Sequence, residues 1–277
     1  MPKQHIATMK KQNIDSFRKV TGAATLAVLA GLAPVNAQDA KPEDKGWEST
    51  AGAGVSLSRG NTKNFLATIN VDSKRKWAKD EALLGAKAGY GATSKPSPGE
   101  PDEDTTRTEG YVKGFGQFNH LFTERLYGAL RVDAINDDIA DIAYRISIAP
   151  LGGYYFIKTA STTLSADIGP TWIVERLQPV STDTDGDTGA RGYLGLRAGE
   201  RFEHKFEGGA RIWQTFDITP EVENWENYVV NFTVGASAPI TKALSMQVVA
   251  DDTYDHQPAP GRLKNDFKLT AGLNYKF

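Results

Sequence analysis

A period-two alternation of apolar and polar residues begins after a short polar stretch, Gln38 to Gly46, and continues to the last residue, Phe277. Successive side chains of a strand point to opposite faces, so this repeat sorts the chain onto the two sides of a sheet. Ala51, Ala53, Val55 and Leu57 alternate with Gly52, Gly54, Ser56 and Ser58, and Phe65, Ala67, Ile69 and Val71 alternate with Leu66, Thr68, Asn70 and Asp72. The same pattern recurs in Leu126, Leu130, Val132 and Ala134, in Leu164, Ala166, Ile168, Trp172 and Val174, and in Tyr228, Val230, Phe232, Val234 and Ala236. Only the segment from Tyr111 to Phe122 is irregular, since Tyr111 and Phe115 fall out of phase with Val112, Phe118 and Phe122.

The alternation divides into about twelve strands, expected near 47–59, 63–77, 80–92, 106–121, 125–136, 142–157, 161–176, 190–204, 206–218, 226–238, 243–254 and 264–277. Strands of a soluble sandwich average about five or six residues, whereas a tilted membrane strand needs about 9 to 11. These strands are of the longer kind. Aromatic residues gather at their ends (Trp47, Trp77, Tyr90, Phe122, Tyr154, Tyr155, Phe156, Trp172, Trp225 and Tyr254), as in the interfacial girdles of membrane barrels. With the N-terminus on the inner side, the outer connections are mostly long and acidic, as at Thr93–Thr105, Asn136–Asp141, Gln178–Ala190, Thr219–Asn227 and Asp255–Leu263. The inner connections, such as Thr123-Glu124 and Pro239–Lys242, are short, and only Gly60-Asn61-Thr62 breaks the rule. The expected fold is therefore an all-β, transmembrane, antiparallel up-and-down barrel over 47–277.

The leader agrees. Lys3, Lys10, Lys11, Arg18 and Lys19 precede an apolar run from Val20 to Val35, and Val35-Asn36-Ala37 fits a small-x-small cleavage pattern. Residues 1–37 read as a signal peptide and 38–46 as a short periplasmic linker. The whole chain has 32 Lys and Arg against 34 Asp and Glu; five of the former and one of the latter lie in the leader, which leaves a net charge of about −6. Such a balance argues against a nucleic-acid partner. There is no cysteine, so stability must come from elsewhere, and a closed sheet in a bilayer supplies it by pairing every backbone group between strands. At 24% charged residues the chain is too polar for a bundle of membrane helices.

The last strand reads Phe267, Leu269, Ala271, Leu273, Tyr275, Phe277. A terminal Phe after alternating apolar residues resembles the recognition signal of outer-membrane barrels, with Tyr275 and Phe277 as its assembly residues. The partners this implies are the barrel assembly machinery, periplasmic chaperones, and outer-membrane lipid with lipopolysaccharide; a Gram-negative outer membrane is the expected location and a monomer the expected state. From Trp47 to Phe277 the chain also resembles the YdiY-like family of salt-induced outer-membrane proteins, whose domain is of unknown function. The resemblance rests on Trp47, Ser58-Arg59-Gly60-Asn61-Thr62, Arg145 with Gly152-Gly153-Tyr154, and Asp266 with Tyr275-Lys276-Phe277. It implies the same fold and location, with a link to salt or osmotic response, and no catalytic set.

If the apolar set faces lipid, the lumen receives Asp72, Lys87, Arg131, Asp133, Arg145, Asp167, Glu175, Arg197, Arg201, Arg211, Asp217, Asp251 and Lys268, seven basic and six acidic. Buried charge must be paired or hydrated. Two readings follow: a structural barrel filled by opposite charges, or a narrow, porin-like passage for small anions. For the passage, the candidates are Arg131, Arg145, Arg197, Arg201 and Arg211, whose planar guanidinium groups suit carboxylate or phosphate. An outer-membrane hydrolase is the third class, but no catalytic residues are assigned; its only material is His256, near Asp252 and Asp255, with Asp137-Asp138 across the outer mouth. Asp183, Asp185 and Asp187 alternate as in calcium loops but lack the downstream bidentate Glu, and a solvated acidic loop is expected. Neither a metal nor a cofactor is otherwise implied.

Overall fold

A computed structural model describes residues 46–58, 63–95, 104–178, 189–259 and 262–277. The leader, most of the linker, the Arg59–Thr62 hairpin and the Asp183, Asp185 and Asp187 run lie outside the described residues. Twelve strands follow one another: β1 (Trp47–Ser58), β2 (Lys63–Lys76), β3 (Asp80–Lys95), β4 (Asp104–Leu121), β5 (Leu126–Asp137), β6 (Ile142–Lys158), β7 (Thr162–Leu177), β8 (Arg191–Lys205), β9 (Arg211–Pro220), β10 (Tyr228–Pro239), β11 (Leu244–Asp255) and β12 (Asn265–Lys276). Each pairs antiparallel with its neighbours in sequence, and β1 pairs with β12 (Thr50 opposite Lys276, Ala53 opposite Leu273), so the sheet closes into a barrel. The seam is short, Thr50 to Ala53 opposite Lys276 to Leu273, and it joins the first and last strands that an open sheet would leave as edges.

The burial is inverted relative to a soluble protein. Among the described residues, the buried set holds seven hydrophobic side chains and fourteen polar or charged ones. Meanwhile Ile69, Leu84, Val112, Leu130, Ile146, Ile168, Val234, Val248 and Leu269 stand exposed around the outside. A continuous apolar belt of that kind is far larger than the patches a water-soluble monomer shows, and it matches the outer band of a membrane barrel.

The short ends of the barrel are closed by a repeated device. At three inner turns a threonine hydroxyl accepts from the first amide of the next strand: Thr123 from Leu126 at 2.9 Å, Thr159 from Thr162 at 2.9 Å and Thr241 from Leu244 at 3.0 Å. Such side-chain-to-backbone bonds replace the ladder where the chain reverses. Trp47 and Trp77 meet edge to face at the same end, with centroids 6.3 Å apart.

Four expectations need correction. β9 begins at Arg211, not near 206, because Phe206–Ala210 form a turn in which Gly209 takes φ +81° and Phe206 N donates to Ala210 O. A side chain with a Cβ rarely adopts that backbone conformation. The outer connection after β5 is tight, with only four residues between Asp137 and Ile142, and Asp137 Oδ1 caps it by accepting from the amides of Ile139 and Ala140. Tyr155 does not belong to an aromatic girdle, since it is buried and donates to Glu81. Finally, β4 keeps one regular alternation from Glu109 onward, after a bulge at Thr108: Val112 and Phe118 face outward, while Tyr111, Lys113, Phe115, Gln117 and Asn119 form the inward set.

Candidate functional site: a charged lumen

The thirteen charged residues expected in the lumen sit on the face opposite the apolar belt, and their bonds show that the face is enclosed. Lys87 on β3 reaches Asp251 on β11, and Lys268 on β12 reaches Glu109 on β4 at 2.7 Å. Tyr155 on β6 donates to Glu81 on β3, and Arg201 on β8 donates to Gln117 on β4 at 2.6 Å. Arg145 on β6 lies 3.9 Å from Asp255 on β11. None of these strand pairs is adjacent, and β6 and β11 are five places apart in the ring of twelve. The bonds cross the interior.

Along the walls the remaining charges pair between neighbouring strands or along one strand. Arg197 meets Asp167 at 2.8 Å, and both side chains are less than a tenth exposed. Asp167 also accepts from Tyr127, and Arg197 lies 3.9 Å from Asp217. Arg145 donates to Glu175 at 2.7 Å, Arg131 holds Asp133 through Nε at 2.9 Å, and Arg211 stands 3.6 Å from Glu203. Asp72 accepts from Asn70 at 3.0 Å. The lumen also holds Glu81, Glu109, Lys113, Gln117, Tyr111, Phe115 and Tyr127, which the sequence does not single out, and Asp137, which it singles out only at the outer mouth. Most lie on β4, where apolar residues on both faces blur the alternation, or are aromatic or amide groups that a search for charges passes over.

Inward aromatic rings lie over glycines. Tyr127 opposes Gly153, Phe115 opposes Gly85, Tyr111 opposes Gly89 and Trp213 opposes Gly235, in each case as direct partners across the ladder. A Cβ on Gly153 would stand 2.1 Å from the Tyr127 ring, so the glycine is what lets the ring lie against the wall.

At the outer mouth Glu221, in the connection after β9, pairs its backbone with Gly195 and accepts from Arg191 and from Asn227 at 2.7 Å. Burial pushes its carboxyl up, but these two donors prevail and hold it below the ordinary carboxylate value. Arg262 donates to Asp141, tying the β11–β12 connection to the β5–β6 turn.

His256 is stacked on Tyr228, with ring planes 6° apart, and its Nδ1 meets the Glu226 carbonyl. Asp138 is taken by Arg107 at 2.6 Å, and Asp252 is bonded to Asn265. The structure does not bring the histidine and these aspartates together as a hydrolytic unit. Tyr275 and Phe277 are exposed on the outside, their rings stacked 6.4 Å apart.

A closed antiparallel sheet with an apolar exterior and an ion-paired interior defines the class: a transmembrane β-barrel with a charged lumen. Within that class, a family profile matches residues 51–277, and the chain belongs to the family described as "Protein of unknown function, DUF481". No curated protein matches the chain at a significant level. Among solved structures, it is similar to the translocator domain of autotransporter NalP from Neisseria meningitidis (13% identity, TM-score 0.45, covering 83% of this chain and 87% of that one). It is likewise similar to the NanC porin (8% identity, TM-score 0.46, 83% and 100%). At those scores the likeness adds nothing to what the strand pairing of this chain establishes.

Proposed function

We propose that this protein is an outer-membrane barrel whose lumen is partitioned by ion pairs, a structural barrel that conducts little. The observation that carries this reading is the set of bonds between non-neighbouring strands, Lys87–Asp251, Lys268–Glu109 and Arg145–Asp255 among them. An open channel keeps its charges on the wall; here they meet in the middle. The outer membrane is the location because the signal-peptide pattern and the Tyr275 and Phe277 ending accompany the apolar belt. In that setting the lipid partner is the outer-membrane leaflet with its lipopolysaccharide, and assembly is by the barrel machinery that reads the last strand.

A second reading, a narrow passage for small anions, is favoured by one residue, Arg201, whose bond goes to an amide and not to an acid. A salt response, which the YdiY-like resemblance suggests, would act on the exposed pairs at the outer mouth, such as Arg262–Asp141, because salt screens exposed charges and spares buried ones. The test is liposome swelling. Vesicles carrying the purified, heat-modifiable protein are expected to swell in a small sugar no faster than empty vesicles, and porin-like swelling would overturn the partitioned lumen.

A further inference from the structure

We infer that Arg131 and Arg201, together with Phe115, form a binding site inside the lumen for one small oxyanion, a carboxylate or a phosphate. The site goes beyond the partitioned-lumen reading: it needs the barrel, but it does not need conduction.

Most of the lumen cations are closely paired. Lys87, Lys268, Arg145, Arg197 and Arg211 each have a carboxylate within ion-pairing distance, and Arg131 has Asp133. Arg201 differs. Among the described residues it has no carboxylate at that range, and its Nη2 donates to the side-chain oxygen of Gln117 at 2.6 Å. Arg131 donates to that same oxygen at 3.2 Å through Nη1. Two full positive charges therefore converge on one neutral amide oxygen.

The Gln117 oxygen is held toward them by its surroundings. Its Nε2 donates to Asn119 Oδ1 at 2.9 Å, and Asn119 in turn donates to Glu81 at 3.3 Å, so the amide is anchored on its nitrogen side. Both guanidinium groups also stand over the Phe115 ring, 4.3 Å from its centroid for Arg131 and 6.0 Å for Arg201. The ring offers a weakly negative face and no competing acceptor.

A guanidinium presents five donors in a planar fork that matches two oxygens of a carboxylate or phosphate. The acceptors around Arg201 satisfy it only in part, and Asp133 occupies only one side of Arg131. One oxyanion between the two forks would take up the unused donors and supply the negative charge that the amide oxygen lacks. The acids on Arg131 and Arg197 set the limit: the site suits one small anion and repels a chain of them.

The experiment is isothermal titration of the detergent-purified protein with sodium phosphate and, separately, sodium acetate, at ionic strength held constant with sodium chloride. Saturable binding of at least one is expected. Phosphate alone would mark a phosphate site; acetate as well would mark a general carboxylate and phosphate site. Arg201→Gln should weaken binding at least tenfold, whereas Arg211→Gln, next to Glu203 elsewhere in the lumen, should change it less than twofold. Should Arg201→Gln fail to refold, Gln117→Glu answers the same question: it places a carboxylate where the anion would sit and should abolish binding in a heat-modifiable barrel. The inference is overturned if the wild type shows no saturable binding, or if binding survives Arg201→Gln or Gln117→Glu unchanged. Failure of the partitioned lumen shows separately, in the swelling assay.

Discussion

Arg197 is the lumen arginine whose loss should cost most stability. Its removal would leave Asp167 buried with, among the described residues, only Tyr127 to donate to it, and an uncompensated buried charge is far more costly than an unmade surface pair. Arg197→Ala should therefore lower unfolding stability in lipid vesicles by about 3 kcal/mol. Arg211→Ala, at a partly exposed pair 3.6 Å long, should lower it by less than about 1 kcal/mol. Glu221 predicts a pH effect of definite sign. Because its folded carboxyl titrates below the unfolded value of about 4.3, the bond from Arg191 is fully stabilising above that value and is lost as pH falls through the folded one. Trp225, exposed in the same connection, should report this as an emission change in the acid range that Glu221→Gln abolishes.

At the scale of the strand, alternation made most of the barrel legible, and its failures have physical causes. β4 reads as irregular because large apolar or aromatic residues occupy both of its faces: Val112 and Phe118 meet lipid, while Tyr111 and Phe115 cover glycines inside. Hydropathy cannot tell an aromatic ring on lipid from one in a lumen, but the opposing Gly85 and Gly89 could have done so. β9 starts later than the alternation suggests because Phe206 continues the apolar rhythm while Gly208-Gly209 turns the backbone. The ring-on-glycine pairing has its own consequence. Gly153→Val would drive the Tyr127 ring off the wall and away from Asp167, an overpacking expected to cost about 1 to 3 kcal/mol and to reduce heat-modifiability on gels. The isosteric change Tyr127→Phe, which removes only the hydroxyl, should cost less.

For the molecule as a whole, fold class is legible in the sequence, because a closed sheet in lipid demands the same period in every strand. The lumen was legible as a list of charges and not as an arrangement. Sequence placed Lys87 and Asp251 on one face but held nothing to say that β3 and β11 meet across the interior, since that depends on the circumference and stagger of the closed sheet. The measurement that tests the partition most directly is single-channel conductance in planar bilayers at neutral pH, wild type beside the Lys87→Ala, Asp251→Ala, Arg145→Ala triple variant. A wild type without resolvable steps beside a variant that conducts in stable ones is the predicted result. Large stable steps in the wild type, unchanged in the variant, would contradict it and leave the lumen an open pore.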